Sequence, residues 1–104
     1  MIVLGISGGL GHDAAACLMR DGRVLAMGEE ERFTRQRYAH DALPKRAIRF
    51  CLSYSGLSAA DIDAIAFGWN PALQPRYGGL KAFGERVLQV DELRGARRAA
   101  VEWV

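Results

Sequence analysis

Ile2-Val-Leu-Gly-Ile-Ser-Gly-Gly-Leu-Gly-His-Asp-Ala-Ala-Ala-Cys17 carries one apolar run into a glycine-rich turn, which hands His12 and Asp13 to a second apolar run. Met1 to Ser7 is apolar without alternation, the pattern of a strand buried on both faces. Asp13 to Arg20 is the second run, and Arg20-Asp-Gly-Arg23 separates it from a third, Val24 to Glu29. An Asp-Gly pair between apolar runs predicts a β-hairpin, because those residues accept the positive φ of a tight hairpin turn. Three consecutive strands therefore open the chain. Gly8, Gly9 and Gly11 put flexible backbone at a strand edge, where it can approach a ligand closely and offer N–H donors to an oxygen-rich group. The turn lacks the Lys-Ser/Thr ending of a phosphate-binding P-loop. Gly5, Gly8 and Gly11 also miss the G-x-G-x-x-G spacing of a dinucleotide fold, so glycine alone does not name the ligand.

Beyond the third run, Glu29 to Asp41 is highly charged with little periodicity and predicts a loop with room for a helical turn. Pro44 suits the first turn of a helix, in which Ala47, Ile48, Cys51 and Leu52 repeat at helical spacing up to a Gly56 cap. Ser58-Ala-Ala-Asp61 reads as a capped turn leading into a short buried strand, Ala64-Ile-Ala-Phe67. Prolines and glycines between Asn70 and Gly79 predict a loop. After it Leu80, Phe83, Val87, Leu88 and Val101 mark one long amphipathic helix. The expected fold class is α/β, in the order three strands, helix, strand and C-terminal helix.

The chain has 104 residues, 50% of them hydrophobic, which suits a single domain with one core. Its charges are interspersed and sum to only +2, too little to steer a polyanion, so nucleic acid is not an expected partner. Cys17 and Cys51 have no C-x-x-C spacing and make no disulfide framework, which fits a reducing, cytoplasmic setting. The first apolar run is broken by Gly and Ser well short of a membrane span, so neither a signal peptide nor a membrane anchor is expected.

Chemistry concentrates at two places. His12 is one of two histidines and follows the glycine turn; it is placed either to act as a general base on a hydroxyl or simply to bond backbone. Asp13 orients that histidine, contacts a substrate hydroxyl, or caps turn amides. Glu29-Glu-Glu-Arg-Phe-Thr-Arg35 crowds three carboxylates against two guanidinium groups at the end of the third strand, whose alternation puts Glu29 and Glu31 on one face. Arg32 and Arg35 can clamp a phosphate or carboxyl group, or can sit in a solvated ion-pair cluster. His40 reads as a loop residue, and Trp69-Asn-Pro71 as the edge of the core or the lining of a cleft. No pair of histidines or thiols has metal-ligand spacing. Arg94, Arg97 and Arg98 form a solvated basic face of the last helix.

Leu4-Gly-Ile-Ser-Gly-Gly with His12-Asp-Ala-Ala-Ala, Gly28-Glu-Glu-Glu-Arg-Phe-Thr-Arg35, Pro44, Ala47-Ile48, Cys51-Leu52 and Ala66-Phe-Gly68 together resemble the N-terminus of the O-carbamoyltransferase family. That family includes nodulation-factor, cephalosporin and aminoglycoside antibiotic carbamoyltransferases. The resemblance covers roughly Met1 to Pro71 and implies a partial actin-like ATPase (ribonuclease H-like) fold, residues 72–104 adding a loop and the amphipathic helix. It also implies use of carbamoyl phosphate and ATP. In the family a C-terminal domain makes carbamoyl adenylate, and the N-terminal domain transfers the carbamoyl group to an acceptor hydroxyl, with a divalent metal helping to hold the adenylate. By matching position, His12 would accept the hydroxyl proton. Asp13, Glu30, Glu31 and Arg32 would contact substrate, and Gly8, Gly9 and Gly11 would line the adenylate site.

Two departures stand out. The segment from Phe33 to Pro44 is about one residue longer than the usual pattern. Family members also run to several hundred residues, with downstream metal ligands and an adenylate-forming domain that this sequence lacks. The expectation is an N-terminal segment that is inactive alone and needs the rest of the enzyme. The alternative is a non-catalytic assembly module that keeps half the fold and self-associates through exposed sheet edges and apolar surface.

Overall fold

In a computed structural model, the described residues are 1–8, 13–36, 43–67, 80–96 and 100–103, of which 80–83 and 100–103 are described by their backbone. A five-stranded sheet has the order β3-β2-β1-β4-β5, built from β1 (Ile2–Ser7), β2 (Ala15–Arg20), β3 (Arg23–Glu29), β4 (Ala64–Phe67) and β5 (Ala100–Trp103). The first three strands run antiparallel, Leu4 facing Leu18 and Leu18 facing Ala26. Asp21 (φ 49°) and Gly22 (φ 81°) turn the hairpin as the Asp-Gly pair predicts. β4 then lies parallel to β1, Leu4 facing Ile65, and β5 lies parallel to β4. Parallel neighbours require crossovers, and the helices supply them: α1 (Glu30–Thr34) and α2 (Lys45–Ser55) between β3 and β4, and α3 (Leu80–Leu88) between β4 and β5.

α2 buries Ala47, Ile48, Cys51 and Leu52 against one sheet face, the stripe its spacing predicts. Gly56 ends it in the left-handed region (φ 73°), its N–H reaching the carbonyls of Leu52 and Ser53. At the next turn the Asp61 carboxylate accepts the Ser58 N–H at 2.8 Å, so the capped turn forms as a short 3-10 helix, Ala59–Asp61. The core joins Leu4, Ile6, Leu18, Ile48, Cys51 and Ile65 with Val87 and Leu93 from the C-terminal part.

Two expectations are corrected. β1 is not buried on both faces: Leu4 and Ile6 are buried in the core, while Gly5 is half-buried on the opposite side. Nor does one helix run from Leu80 to Val101. α3 stops at Leu88, a 3-10 turn follows at Asp91–Leu93, Gly95 takes φ 97°, and Val101 lies in β5. Extended backbone at Val90 (φ −63°, ψ 131°) has already ended the helix before Gly95, and the free parallel edge of β4 recruits the residues after that glycine. Arg94 therefore sits at a turn and bonds Asp91 at 3.1 Å, whereas Arg97 and Arg98 lie outside the described residues.

Candidate functional site

Strand directions decide what meets at one end of the sheet. β1 and β4 finish there, β2 begins there and β3 finishes there, Ser7 pairing with Ala15 and Ala15 with Glu29. The glycine turn and the Glu-Glu-Glu-Arg segment, far apart in sequence, thus converge. Gly8 has φ 108° and Asp13 has φ 67°, so left-handed residues bracket the turn. The Ser7 hydroxyl donates to the Asp13 carbonyl at 2.8 Å, pinning the ends of the turn together. Gly9, Gly11 and His12 lie outside the described residues, as do His40 and Trp69-Asn-Pro71.

The three glutamates separate into distinct environments. Glu29 ends β3, exposed, with Arg32 Nε 3.8 Å from its carboxylate. Glu30 starts α1, is only 4% exposed, and donates its backbone N–H to the Ala14 carbonyl at 2.8 Å. Its Oε1 accepts the Ala47 N–H at 2.8 Å and its Oε2 the Arg46 N–H at 3.2 Å. A helix begins with amides that lack intrahelical partners, and Pro44 has no side chain to cap them. The buried carboxylate meets that demand from a distant part of the chain, where the positive end of the helix dipole also favours it. Glu30 therefore clips the start of β2 to the start of α2, and both its oxygens are engaged in doing so.

Glu31 is half-buried and Arg32 exposed; both line a shallow concavity of about 440 Å³ with Arg35 and Gln36. Because the chain turns helical at Glu30, Glu29 and Glu31 do not share a strand face as alternation would require. Arg35 closes α1 in the left-handed region (φ 59°), donating to the Glu31 carbonyl at 2.8 Å. Phe33 stacks at 5.6 Å on Phe50, and Phe50 at 5.6 Å on Tyr54, tying α1 to α2. That aromatic ladder, with Ser7 and the amides held by Glu30, was not singled out from sequence. Its only signal was an aromatic at Phe33 within an otherwise charged run.

From the same end of the sheet a groove of about 730 Å³ runs along the outer flank of α2 toward α3, with Lys45, Arg46, Arg49 and Arg86 in its walls. Arg49 Nη2 donates to Glu92 Oε1 at 2.7 Å. Among the described residues, no three His, Cys, Asp or Glu side chains stand together so as to hold a metal ion. No helix among them is long and apolar enough to cross a membrane.

The sheet order and crossovers define a partial actin-like ATPase (ribonuclease H-like) fold. YeaZ from Pseudomonas aeruginosa has a similar structure, with a TM-score of 0.57 over 99% of this chain and 42% of its own, at 21% identity. Residues 2–78 match the family described as carbamoyltransferase N-terminus. The chain belongs to that family. It is 43% identical over 81 residues to nodulation protein NolNO of Sinorhizobium fredii, covering 64% of this chain and 12% of that protein. It is also 40% identical over 81 residues to an uncharacterized 19.2 kDa protein of Rhizobium etli, covering 64% of this chain and 47% of that one. The chain thus spans less than half the length of each of these curated relatives.

Proposed function

We propose that this chain supplies the acceptor-side wall of an O-carbamoyl transfer site, in which a carbamoyl group passes from carbamoyl adenylate, made from carbamoyl phosphate and ATP, to an acceptor hydroxyl. The supporting observation is the convergence of the turn bracketed by Gly8 and Asp13 with the Glu31-Arg32 segment at one end of the sheet, in a chain of the carbamoyltransferase family. His12, within that turn, takes the hydroxyl proton as the oxygen attacks the carbamoyl carbon, and the bond from that carbon to the adenylate phosphate oxygen breaks to release AMP. Glycine backbone at Gly8, Gly9 and Gly11 lies against the adenylate, and Asp13, Glu31 and Arg32 hold the reactants in place. Glu30 serves the same site indirectly, by fixing α2 against β2. The adenylate-forming step and any divalent metal depend on polypeptide beyond these residues, so the chain alone does not complete the reaction.

The reading is tested by replacing His12 with Asn in a full-length relative that carries this segment. Transfer to the acceptor is expected to fall by about 10²- to 10⁴-fold, the usual contribution of a positioned general base, with carbamoyl adenylate still formed. Unchanged transfer removes His12 from the mechanism.

A further inference from the structure

The groove along α2 holds charge that the transfer reading does not use. Lys45 and Arg46 open α2, and its first turn contains no acidic residue. Cations at the positive end of a helix are unfavourable by some tenths of a kcal/mol each, and here the Glu30 carboxylate is the nearby charge that offsets them. Glu30, the carboxylate at that end, has both oxygens on backbone amides. Further along, Arg49 is 68% exposed, while Glu92, its partner, is only 9% exposed. Glu92 Oε1 fixes the Arg49 guanidinium at 2.7 Å, and its Oε2 is buried without a hydrogen-bond partner. A half-satisfied buried carboxylate is expensive. Here it anchors one nitrogen of Arg49 and leaves the rest of the fork at the groove, with Arg86 among the other walls. Guanidinium groups held in this way suit the paired oxygens of a phosphate.

We propose that this groove binds the phosphate monoester of a small organic molecule, the phosphate contacting Arg46, Arg49 and Arg86 near the start of α2. Its volume of about 730 Å³ leaves space for an organic portion beside the phosphate. A net charge of +2 over the whole chain provides no field for a long polyanion, which argues for a small ligand over an acidic polypeptide. The proposal is independent of His12 and of carbamoyl transfer.

Titration calorimetry on the whole chain, with ribose 5-phosphate, inorganic phosphate, ribose and a poly-glutamate peptide as probes, tests it. Ribose 5-phosphate is expected to bind at one site per chain, inorganic phosphate about tenfold more weakly and ribose not at all. Added salt should weaken the binding. The exposed-site variant Arg46→Gln/Arg86→Gln should lose about tenfold or more in affinity with its thermal unfolding unchanged. Glu92→Gln should weaken binding by loosening Arg49. The proposal is overturned by the absence of saturable binding, by affinity indifferent to Arg46→Gln/Arg86→Gln, by inorganic phosphate binding as tightly as the ester, or by poly-glutamate binding more tightly than either.

Discussion

The two faces of the sheet are made from the same strands and differ completely. Across the covered face runs the row Ala26, Leu18, Leu4 and Ile65, each paired with the next and all buried under the helices. One residue along, on the opposite face, runs Met27, Cys17, Gly5 and Ala66. There Met27 is 65% exposed, and the small residues leave an apolar hollow of about 340 Å³. The alternation of a strand assigns each residue to a face, but only the packing of a second layer makes one of those faces a core. The first face carries the stability of the domain. The second is shaped by side chains too small to fill it.

The sharpest way to break this contrast is truncation on each face. Leu4→Ala, in the buried core, is expected to cost about 2–5 kcal/mol, whereas Met27→Ala on the opposite face should stay within about 0.5 kcal/mol. Urea unfolding of the two variants measures both, and a similar loss at the two positions would show that both faces are closed. A smaller effect is expected at the edge of the covered face. Glu30→Ala leaves the first amides of α2 without acceptors and should cost about 2–3 kcal/mol, while Glu30→Gln keeps an acceptor oxygen and should lose about half as much. If Glu30→Ala is neutral by the same measurement, the carboxylate is not what joins α2 to β2.

The smallest effect compares the two cysteines, one on each side of the sheet. Burial pushes the Cys51 thiol up to about 11 from an ordinary 9.0, the nearby Cys17 adding to the shift. At pH 8 Cys51 should therefore resist alkylation while half-buried Cys17 reacts first, as peptide mass mapping will show. The raised folded-state value also fixes the sign of the alkaline response. Below pH 9 both states hold the proton, and between pH 9 and about 11 the unfolded thiol ionises first, so stability falls as pH rises through that window. A Cys51→Ser variant that melts with the same alkaline profile would assign the loss to other groups.

Much of the architecture was legible because its signals are local. Asp21-Gly22 turned the hairpin, Gly56 capped α2, and Ser58 with Asp61 formed the turn before β4, each through bonds within a few residues. The end of α3 was misread because Val101 falls on a helical stripe extended from Leu88, while the pairing that captured it came from β4 across the sheet. Glu30 shows the same limit at the site. Three adjacent glutamates look alike as a string, and nothing in their order says that the middle one reaches the amides of Arg46 and Ala47. Lys45 and Arg46 belong to no motif along the chain, and only folding places them in one groove with Arg86 and Glu92.

Sequence by itself determined the three opening strands, the helix that covers them and the family, since periodicity, turn chemistry and the spacing of His12-Asp13 from Glu29-Glu-Glu-Arg-Phe33 are written along the chain. Tertiary structure alone decided which face of β1 became core, which glutamate was spent on a helix terminus, and which cations came to share a groove. Those outcomes depend on contacts between residues distant in the chain, where packing and the need to satisfy buried polar groups override local preference.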